Sequence, residues 1–170
     1  MLFEDEFSLS NSATTGYKWS SKGVQPRIKC KQRGRERKTA IGSYNFETGQ
    51  ITVSFHHKGN YQSFKKHLRK VLHIYRNHSK IIMVVDNVKY HHAKLLKRWL
   101  IDHPQLEIVY LPPYSPELNP IERAWWYMRK KITHNRYVKS LKERIVVFWK
   151  MFSHFQKPNK ELLTVCEINF

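Results

Sequence analysis

The sequence predicts an α/β protein built on a five-stranded mixed sheet, with the first three strands antiparallel, the last two parallel, and helices on both faces. Two observations lead to this prediction. Apolar and polar residues alternate through much of the first 56 residues, as they do in half-buried strands. Later in the chain, the continuous apolar runs IIMVVD (81–86) and LEIVYL (106–111) are separated by a segment with helical spacing, which is typical of parallel strands covered on both faces.

The first strand is predicted at residues 1–7, MLFEDEF. Successive side chains of a strand point to opposite faces, so Asp5 shares a face with Phe3 and Phe7, whereas Glu4 lies on the other face. Asp5 is therefore expected to lie on an apolar face of the sheet.

Residues 17–56 predict β-hairpins. The segment YKWSSKGVQPRI has turn-forming residues at Lys22-Gly23 and Pro26, and TAIGSYNFETGQITVSF has a turn at 47–49 between two alternating runs. In a mixed sheet of this kind, the first and fourth strands can lie side by side.

Apolar residues at helical spacing predict four helices. The first follows Asn60, the second stops near Pro104, and the third begins at Asn119. The last opens at Ser140, which has the spacing of a capping box with Glu143. The inner face of the second helix is predicted to consist of Leu95, Leu96, Trp99 and Leu100. The inner face of the last helix is predicted to consist of Ile145, Val146, Trp149 and Phe152.

The composition and net charge of the chain limit the classes of function and partner that it can have. The 170 residues are enough for one domain with a real core, and 31 lysine and arginine residues face 13 acidic residues, for a net charge of +18. Such an excess favours nucleic acid as the partner, with a membrane surface as the weaker alternative. No apolar run is long enough to span a bilayer, and the acidic start does not resemble a signal peptide. Two cysteines far apart indicate a reducing compartment.

Three carboxylates are predicted to meet at one edge of the sheet. Asp5 lies within the first strand, Asp86 ends the fourth strand, and Glu122 lies on the helix after the fifth strand. Open α/β sheets place their sites at the carboxyl ends of strands. Because carboxylates repel one another unless cations hold them, we expect Mg²⁺ or Mn²⁺ here, with two ions able to activate water and stabilise the leaving oxygen of a phosphodiester.

The segment LPPYSPELNPIE (111–122) resembles the catalytic core of the Tc/mariner-like transposases, in particular their bacterial insertion-sequence branch. FEDE (3–6) resembles the first strand of that family, and DNVKYHH (86–92) its second acidic motif. The 35 residues between the second and third acids fall within the narrow range of the family. Further matching positions are Trp19, Gly23, Pro26, His91 and Trp125.

This resemblance covers roughly residues 1–135 and implies an RNase H-like fold. It also implies that Asp5, Asp86 and Glu122 form a DDE triad that binds the metal ions. The implied function is metal-dependent DNA cleavage and strand transfer in cut-and-paste transposition of an insertion sequence, with Mg²⁺ and usually at TA dinucleotides.

The resemblance also gives expectations about organisation. We expect one catalytic domain over residues 1–170, with a core at about 1–135 and a C-terminal helical extension at about 136–170. The helix-turn-helix region of the family is expected to be absent, which makes a helix-turn-helix product of an upstream reading frame a candidate partner. We further expect a homodimer in the active complex and a cytoplasmic, nucleoid-associated location in a bacterium.

Each acid has a simpler interpretation. Glu122 could cap a helix that begins at Asn119 and Pro120. Asp86 could merely begin a turn. A register shift of the short first strand would replace Asp5 by one of its acidic neighbours.

Several basic or polar residues are predicted to contact DNA. Six cations lie in the run KCKQRGRERK, whose alternative interpretation is a solvated hairpin tip. Asn87 and His91 follow the second acid, and His91 is expected either to contact a phosphate or to orient a ligand, with a surface histidine as the alternative. The predicted DNA-binding residues are Lys29, Lys31, Arg33, Arg35, Arg37, Lys38, Asn87 and His91.

Two other functions remain open at this point. A relic that binds DNA but has lost catalysis would keep the charge and lose the acids. Another RNase H-like nuclease would keep the acids and is disfavoured by the proline-rich segment.

Overall fold

The computed structural model describes residues 1–14, 16–27 and 36–167. Its five strands form a single sheet in the order β3-β2-β1-β4-β5. The strand bounds are Leu2–Ser10 (β1), Arg37–Asn45 (β2), Ile51–His56 (β3), Ile81–Val85 (β4) and Leu106–Tyr110 (β5).

Strand β1 lies at the centre of the sheet, antiparallel to β2 and parallel to β4. The antiparallel ladder runs along all of β1, but the parallel ladder consists only of the pairs Leu2 with Met83 and Phe3 with Val84. Beyond Phe3, β1 therefore has no ladder partner on its β4 side. Strands β4 and β5 are parallel, so the predicted mixed sheet is confirmed, as is the placement of the first strand beside the fourth.

Helices cover both faces of the sheet. One core contains side chains of α1 and α2 together with Leu2 of β1, and the other contains side chains of α3, α4 and α5 together with Phe7 and Leu9 of β1. The helix bounds are Tyr61–Ile74 (α1), Lys94–Ile101 (α2), Pro120–Ile132 (α3), Leu141–Phe155 (α4) and Lys160–Val165 (α5). No helix among the described residues is long and apolar enough to cross a membrane.

One predicted hairpin is wrong. Residues 16–27 contain no strand, although the predicted turn exists and Gly23 has a φ of +82°. The two large aromatic side chains of this segment, Tyr17 and Trp19, are fully solvent-exposed. Because no second layer covers them, alternation in the sequence does not produce a strand here.

The inner faces of two helices also differ from the prediction. In α2, Leu96 and Trp99 are buried but Leu95 is exposed. In α4, Phe152 is buried as predicted, but Val146 and Trp149 are exposed. The buried face is completed instead by Leu141, Arg144, Phe148 and Phe155.

Arg144 explains the shifted face of α4. Its guanidinium donates to the carbonyl of Ile132 at 2.5 Å, at the C-terminal end of α3, and to the carbonyl of Arg136 at 2.7 Å. A cation is favourable at the C-terminal end of a helix, so this contact turns the Arg144 side of α4 inward. Ser140 accepts a hydrogen bond from the Glu143 N–H at 3.2 Å, as the capping-box spacing predicts.

Gly42 lets α3 approach the sheet closely. It lies on β2 directly opposite Asp5, and a Cβ atom added to it would lie 2.4 Å from Cζ2 of Trp125. The ring of Trp125 thus occupies the space that a side chain at Gly42 would fill. Since α3 also carries Glu122, this contact sets the distance between that acid and the strands.

We expect Gly42→Ala to destabilise the protein by about 1–3 kcal/mol, because the new methyl group overlaps a buried indole. Trp125→Phe removes the overlapping ring atoms. In that background Gly42→Ala should cost at least about 1 kcal/mol less, which a double-mutant cycle of urea unfolding would measure. An equal cost in both backgrounds would contradict the proposed contact.

Candidate active site

Asp5 lies midway along β1 on the face that is covered by α3. Burial raises the pKa of its carboxyl to about 8, and the nearby charges of Glu122 and Asp86 act in the same direction. Asp5 therefore holds its proton at neutral pH unless a cation replaces it.

Asp86 directly follows β4, where the apolar run of that strand ends. Its Oδ1 accepts a hydrogen bond from the Val88 N–H at 3.2 Å and lies 3.1 Å from Nδ1 of His91. Burial alone would raise the pKa of Asp86, but these two hydrogen bonds outweigh burial and bring it below its ordinary value. Asp86 is thus an ionised carboxylate held from two sides.

Glu122 lies in the first turn of α3 and is exposed. The helix start does not use the capping bonds that the sequence allows, because Asn119 at the N-cap makes no side-chain cap. Instead, its Nδ2 donates to the backbone carbonyl of Glu4 at 2.9 Å, which ties the start of α3 to β1. Within the described part of the chain, the Glu122 carboxylate has no hydrogen-bond partner, so this placement gives no support to a capping role.

The three acids line one cavity of about 430 Å³. The opposite wall is the segment from Leu111 to Pro116, in which Tyr114 is fully exposed and has a φ of +58°. A left-handed backbone at a residue other than glycine is strained, and the neighbouring prolines restrict this turn.

The donor set fits a divalent cation. In the described part of the chain, no group of three His, Cys, Asp or Glu side chains is placed closely enough to hold one ion. Nevertheless, three carboxylates line one cavity, and burial together with the charges of the other two raises the pKa of Asp5. They form an oxygen-rich site that a cation would stabilise. Asp5, Asp86 and Glu122 are therefore the residues that would hold such ions.

Glu4 was not among the predicted site residues. Its side chain is completely buried, and both carboxyl oxygens lack a hydrogen-bond partner in the described structure. Burial raises the pKa of Glu4 well above its usual range, and the charges of Asp5, Glu6 and Asp86 add to this effect. A buried acid next to the candidate site is the main feature that the sequence analysis missed.

The predicted contact of His91 with a DNA phosphate does not fit its position. His91 is 1% exposed and lies between Asp86 and Glu4, so its ring is withdrawn from the surface. Asn87 is exposed and lines the cavity, and its Nδ2 donates to the carbonyl of Leu111, which joins the ends of β4 and β5.

The predicted basic run lies mostly outside the described residues, namely at Lys29, Lys31, Arg33 and Arg35. Arg37 and Lys38 begin β2, and Arg37 is exposed. Arg37 and Arg129 line a second cavity of about 290 Å³ beside the end of β1, whose remaining wall carries hydroxyl groups of serine and threonine. Arg129, on α3, was not among the predicted DNA-binding residues.

The pKa of Asp5 gives a test of this arrangement without metal. An acid whose pKa is raised by folding stabilises the folded state less as the pH increases towards that pKa. Glu122→Gln removes one cause of the increase, so in EDTA at pH 8 the variant should melt about 1–4 °C above the parent, and near pH 5 the two should coincide. Glu117→Gln, a nearby exposed acid outside this cavity, is the matched control and should leave the melting curve unchanged.

Comparisons with known proteins agree with this fold and site. The chain is 26% identical, over 141 residues, to the 39 kDa protein of insertion element IS630 from Shigella sonnei, a match that covers 83% of this chain and 41% of the relative. It is 30% identical over 78 residues to protein y4pE/y4sA of Sinorhizobium fredii, covering 46% of this chain and 55% of that protein. The chain thus spans about half the length of these relatives.

Among solved structures, the paired-end complex of Mos1 transposase with the left transposon end superposes with a TM-score of 0.73 at 14% identity, covering 97% of this chain and 50% of that chain. The isolated catalytic domain of Mos1 mariner transposase superposes with a TM-score of 0.65 at 14% identity, covering 97% of this chain and 74% of that chain. These likenesses confirm the predicted RNase H-like fold. The family described as "DDE superfamily endonuclease" matches residues 1–145, and the chain belongs to that family.

Proposed function

We propose that this chain is the catalytic part of an insertion-element transposase, which cleaves DNA at the element's ends and joins them to a target with Mg²⁺ or Mn²⁺. The observation that carries the proposal is the meeting of Asp5, Asp86 and Glu122 around one cavity of a DDE-family domain. Cut-and-paste transposition is the activity that a match to an insertion-element protein supports.

In this proposal the three carboxylates hold the ions at the cavity. When bound, such ions supply an activated water or DNA hydroxyl and stabilise the leaving oxygen of the phosphodiester. Asp5 exchanges its proton for the cation, since burial and the charges of Glu122 and Asp86 raise its pKa to about 8 and a cation offsets both effects. Asn119 keeps Glu122 facing the strands by fastening the start of α3 to β1.

The metal preference is supported by the chemistry of the donors and by the fold relatives. Carboxylate oxygens favour Mg²⁺ and Mn²⁺ over softer metals. Mos1 paired-end complexes are known with Mn and with Mg. Two ions per site is the arrangement we propose, as in other enzymes that displace a phosphodiester oxygen in line.

DNA is the proposed partner, held by the positive surface around the acidic cavity. The net charge of +18 supports it, as do Arg37 and Arg129 in the second cavity. We include Lys38, Asn87 and the basic residues 29–35 in this DNA-binding surface. We further propose a TA target and a homodimer in the active complex. An inactive relic is disfavoured because all three acids line the cavity.

The central experiment is a nicking assay on supercoiled DNA with the purified chain. We expect cleavage in Mg²⁺ or Mn²⁺ and none in EDTA. Asp86→Asn and Glu122→Gln should each reduce the rate by about 100-fold or more, because a neutral amide cannot supply the charge that holds the cations. DNA binding, measured by fluorescence anisotropy, should persist in both variants.

Glu117→Gln distinguishes the assignment of the third acid, because Glu117 is the nearest other carboxylate on that segment. It should cleave at the parent rate. If Glu117→Gln is inactive and Glu122→Gln is active, the third ligand is Glu117. If Asp86→Asn cleaves like the parent, the metal-site proposal is wrong.

The salt dependence of DNA binding tests the basic run. The slope of log K against log salt should be on the order of −5 or steeper if six or more phosphates are contacted. Replacing Arg33, Arg35 and Arg37 by serine should flatten the slope by about 3. A control that removes the same charge from Lys142, Lys150 and Lys157 should leave it nearly unchanged, and equal effects of the two triple variants would contradict the proposed DNA path.

A further inference from the structure

The side chain of Glu4 destabilises the folded state at its position. It is 0% exposed, on the central strand, and neither carboxyl oxygen has a hydrogen-bond partner within the described residues. A buried polar group without a partner costs free energy whichever protonation state it adopts. An apolar side chain at this position would extend the core that already contains Leu2 and Phe64. Stability therefore does not account for a carboxyl group here.

His91 faces Glu4 from the other side of the same buried space. Its Nε2 lies 3.5 Å from Oε2 of Glu4 and, like that oxygen, has no hydrogen-bond partner in the described structure. The imidazole packs against Phe64 at a centroid distance of 4.2 Å and against Tyr90 at 4.6 Å. The ring is thus enclosed by aromatic groups, and Glu4 is the polar group that its Nε2 faces.

The other ring nitrogen of His91 contacts Asp86. Nδ1 lies 3.1 Å from the carboxylate Oδ1 of Asp86 and 3.1 Å from its backbone oxygen. Nδ1 can serve these two acceptors only as a donor, so it carries a hydrogen. One further hydrogen lies either on Oε2 of Glu4 or on Nε2 of His91. Because these two atoms face each other, that hydrogen points towards the other atom in both cases. The three side chains therefore form one line from the core to the cavity.

We propose that Glu4 and His91 are positioning residues for the reaction: His91 holds the carboxylate of Asp86 in its metal-binding orientation, and Glu4 fixes the ring of His91 from behind. This inference rests on the proposed function, because it assigns Asp86 as a metal ligand. Groups that hydrogen-bond to a ligating carboxylate orient it and tune its affinity for the metal. The role also explains why a carboxyl group occupies a position where a leucine would pack.

The shape of the sheet permits this arrangement. The ladder between β1 and β4 ends at Phe3 and Val84, one residue before Glu4 and two before Asp86. A 3-10 helix at Lys89–His92 follows β4 closely enough to bring His91 into the space beside the parted strands. The line of side chains therefore bridges β1 and β4 at the point where backbone hydrogen bonds no longer do so.

Three variants of the full chain test the proposal: Glu4→Leu, Glu4→Gln and His91→Phe. Mn²⁺ affinity is measured by the EPR signal of the free ion, cleavage by single-turnover nicking, and stability by melting in EDTA. Glu4→Leu should melt at a higher temperature than the parent, because an unpartnered buried carboxyl is removed, yet bind Mn²⁺ and cleave about 10–100-fold less well. If Glu4 were a purely structural residue, its substitution would not raise the melting temperature while lowering the affinity for Mn²⁺.

Glu4→Gln should stay within about threefold of the parent in Mn²⁺ affinity, because its amide can still donate to Nε2 of His91. His91→Phe should lose affinity as Glu4→Leu does, and the double variant should lose no more than His91→Phe alone, since Glu4 acts through His91. The control is His67→Leu, which removes another completely buried histidine, bound to Ser43 and Ser54. It should lower the melting temperature and leave Mn²⁺ affinity unchanged.

The outcomes separate this inference from the function on which it rests. A parent chain that binds no Mn²⁺ and does not cleave overturns both. A parent that binds and cleaves, with Glu4→Leu equal to it in both measurements, overturns only the positioning role. Parallel losses of stability and Mn²⁺ affinity in Glu4→Leu and Glu4→Gln alike would make Glu4 a structural residue and also overturn it.

Discussion

Mutual repulsion of carboxylates at the end of the β1–β4 ladder is the constraint on which the rest of this domain depends. Burial and the charges of neighbouring carboxylates, including Asp86, raise the pKa values of Glu4 and Asp5, and Glu122 adds its charge to Asp5 from α3. Bringing such groups together costs free energy in any protein without a cation. A chain with a net charge of +18 can supply a favourable field at long range, but short-range repulsion must be resisted by rigid packing.

The packing that resists this repulsion is concentrated on α3. At its first turn, Asn119 is bonded to the β1 backbone, and near its middle Trp125 fills the space above Gly42. At its last turn, the buried guanidinium of Arg144 joins it to α4. The helix is thereby fixed at its start, middle and end, so the position of Glu122 is determined by the whole of the second core. The helices after residue 135 belong to that core as much as the earlier ones do.

Much of the sheet could be predicted from the sequence, because continuous apolar runs and alternating runs distinguish central parallel strands from a hairpin. The convergence of the three acids followed from the strand order. The segment 16–27 was mispredicted because alternation gives a strand only where a second layer exists. The face of α4 was mispredicted because hydrophobicity cannot indicate that Arg144, a cation, points inward to the end of another helix.

Glu4 was missed for a reason that the sequence itself contained. A strand with neighbours on both sides and helices on both faces can bury side chains of either face, so the predicted position of β1 beside the fourth strand allowed Glu4 to be buried as fully as Phe7. Local alternation indicated only that Glu4 lies on the face opposite Asp5, together with Leu2. In a central strand, an acid is informative on either face. The burial of His91 had no such signal, since two adjacent histidines after a strand are usual at a surface.

The short parallel ladder between β1 and β4 also governs the order in which the domain is assembled. Leu2 and Met83 are 81 positions apart, whereas the hairpin of β2 and β3 closes over a few residues. Closing a longer loop costs more conformational entropy, and folding is slower when the native contacts join residues that are distant in sequence. During synthesis, β1, β2 and β3 are made before β4, so the antiparallel half of the sheet can pair before Asp86 has been added to the chain. The cavity that gathers the acids therefore forms only after β4 and the later residues 111–122 have joined the sheet.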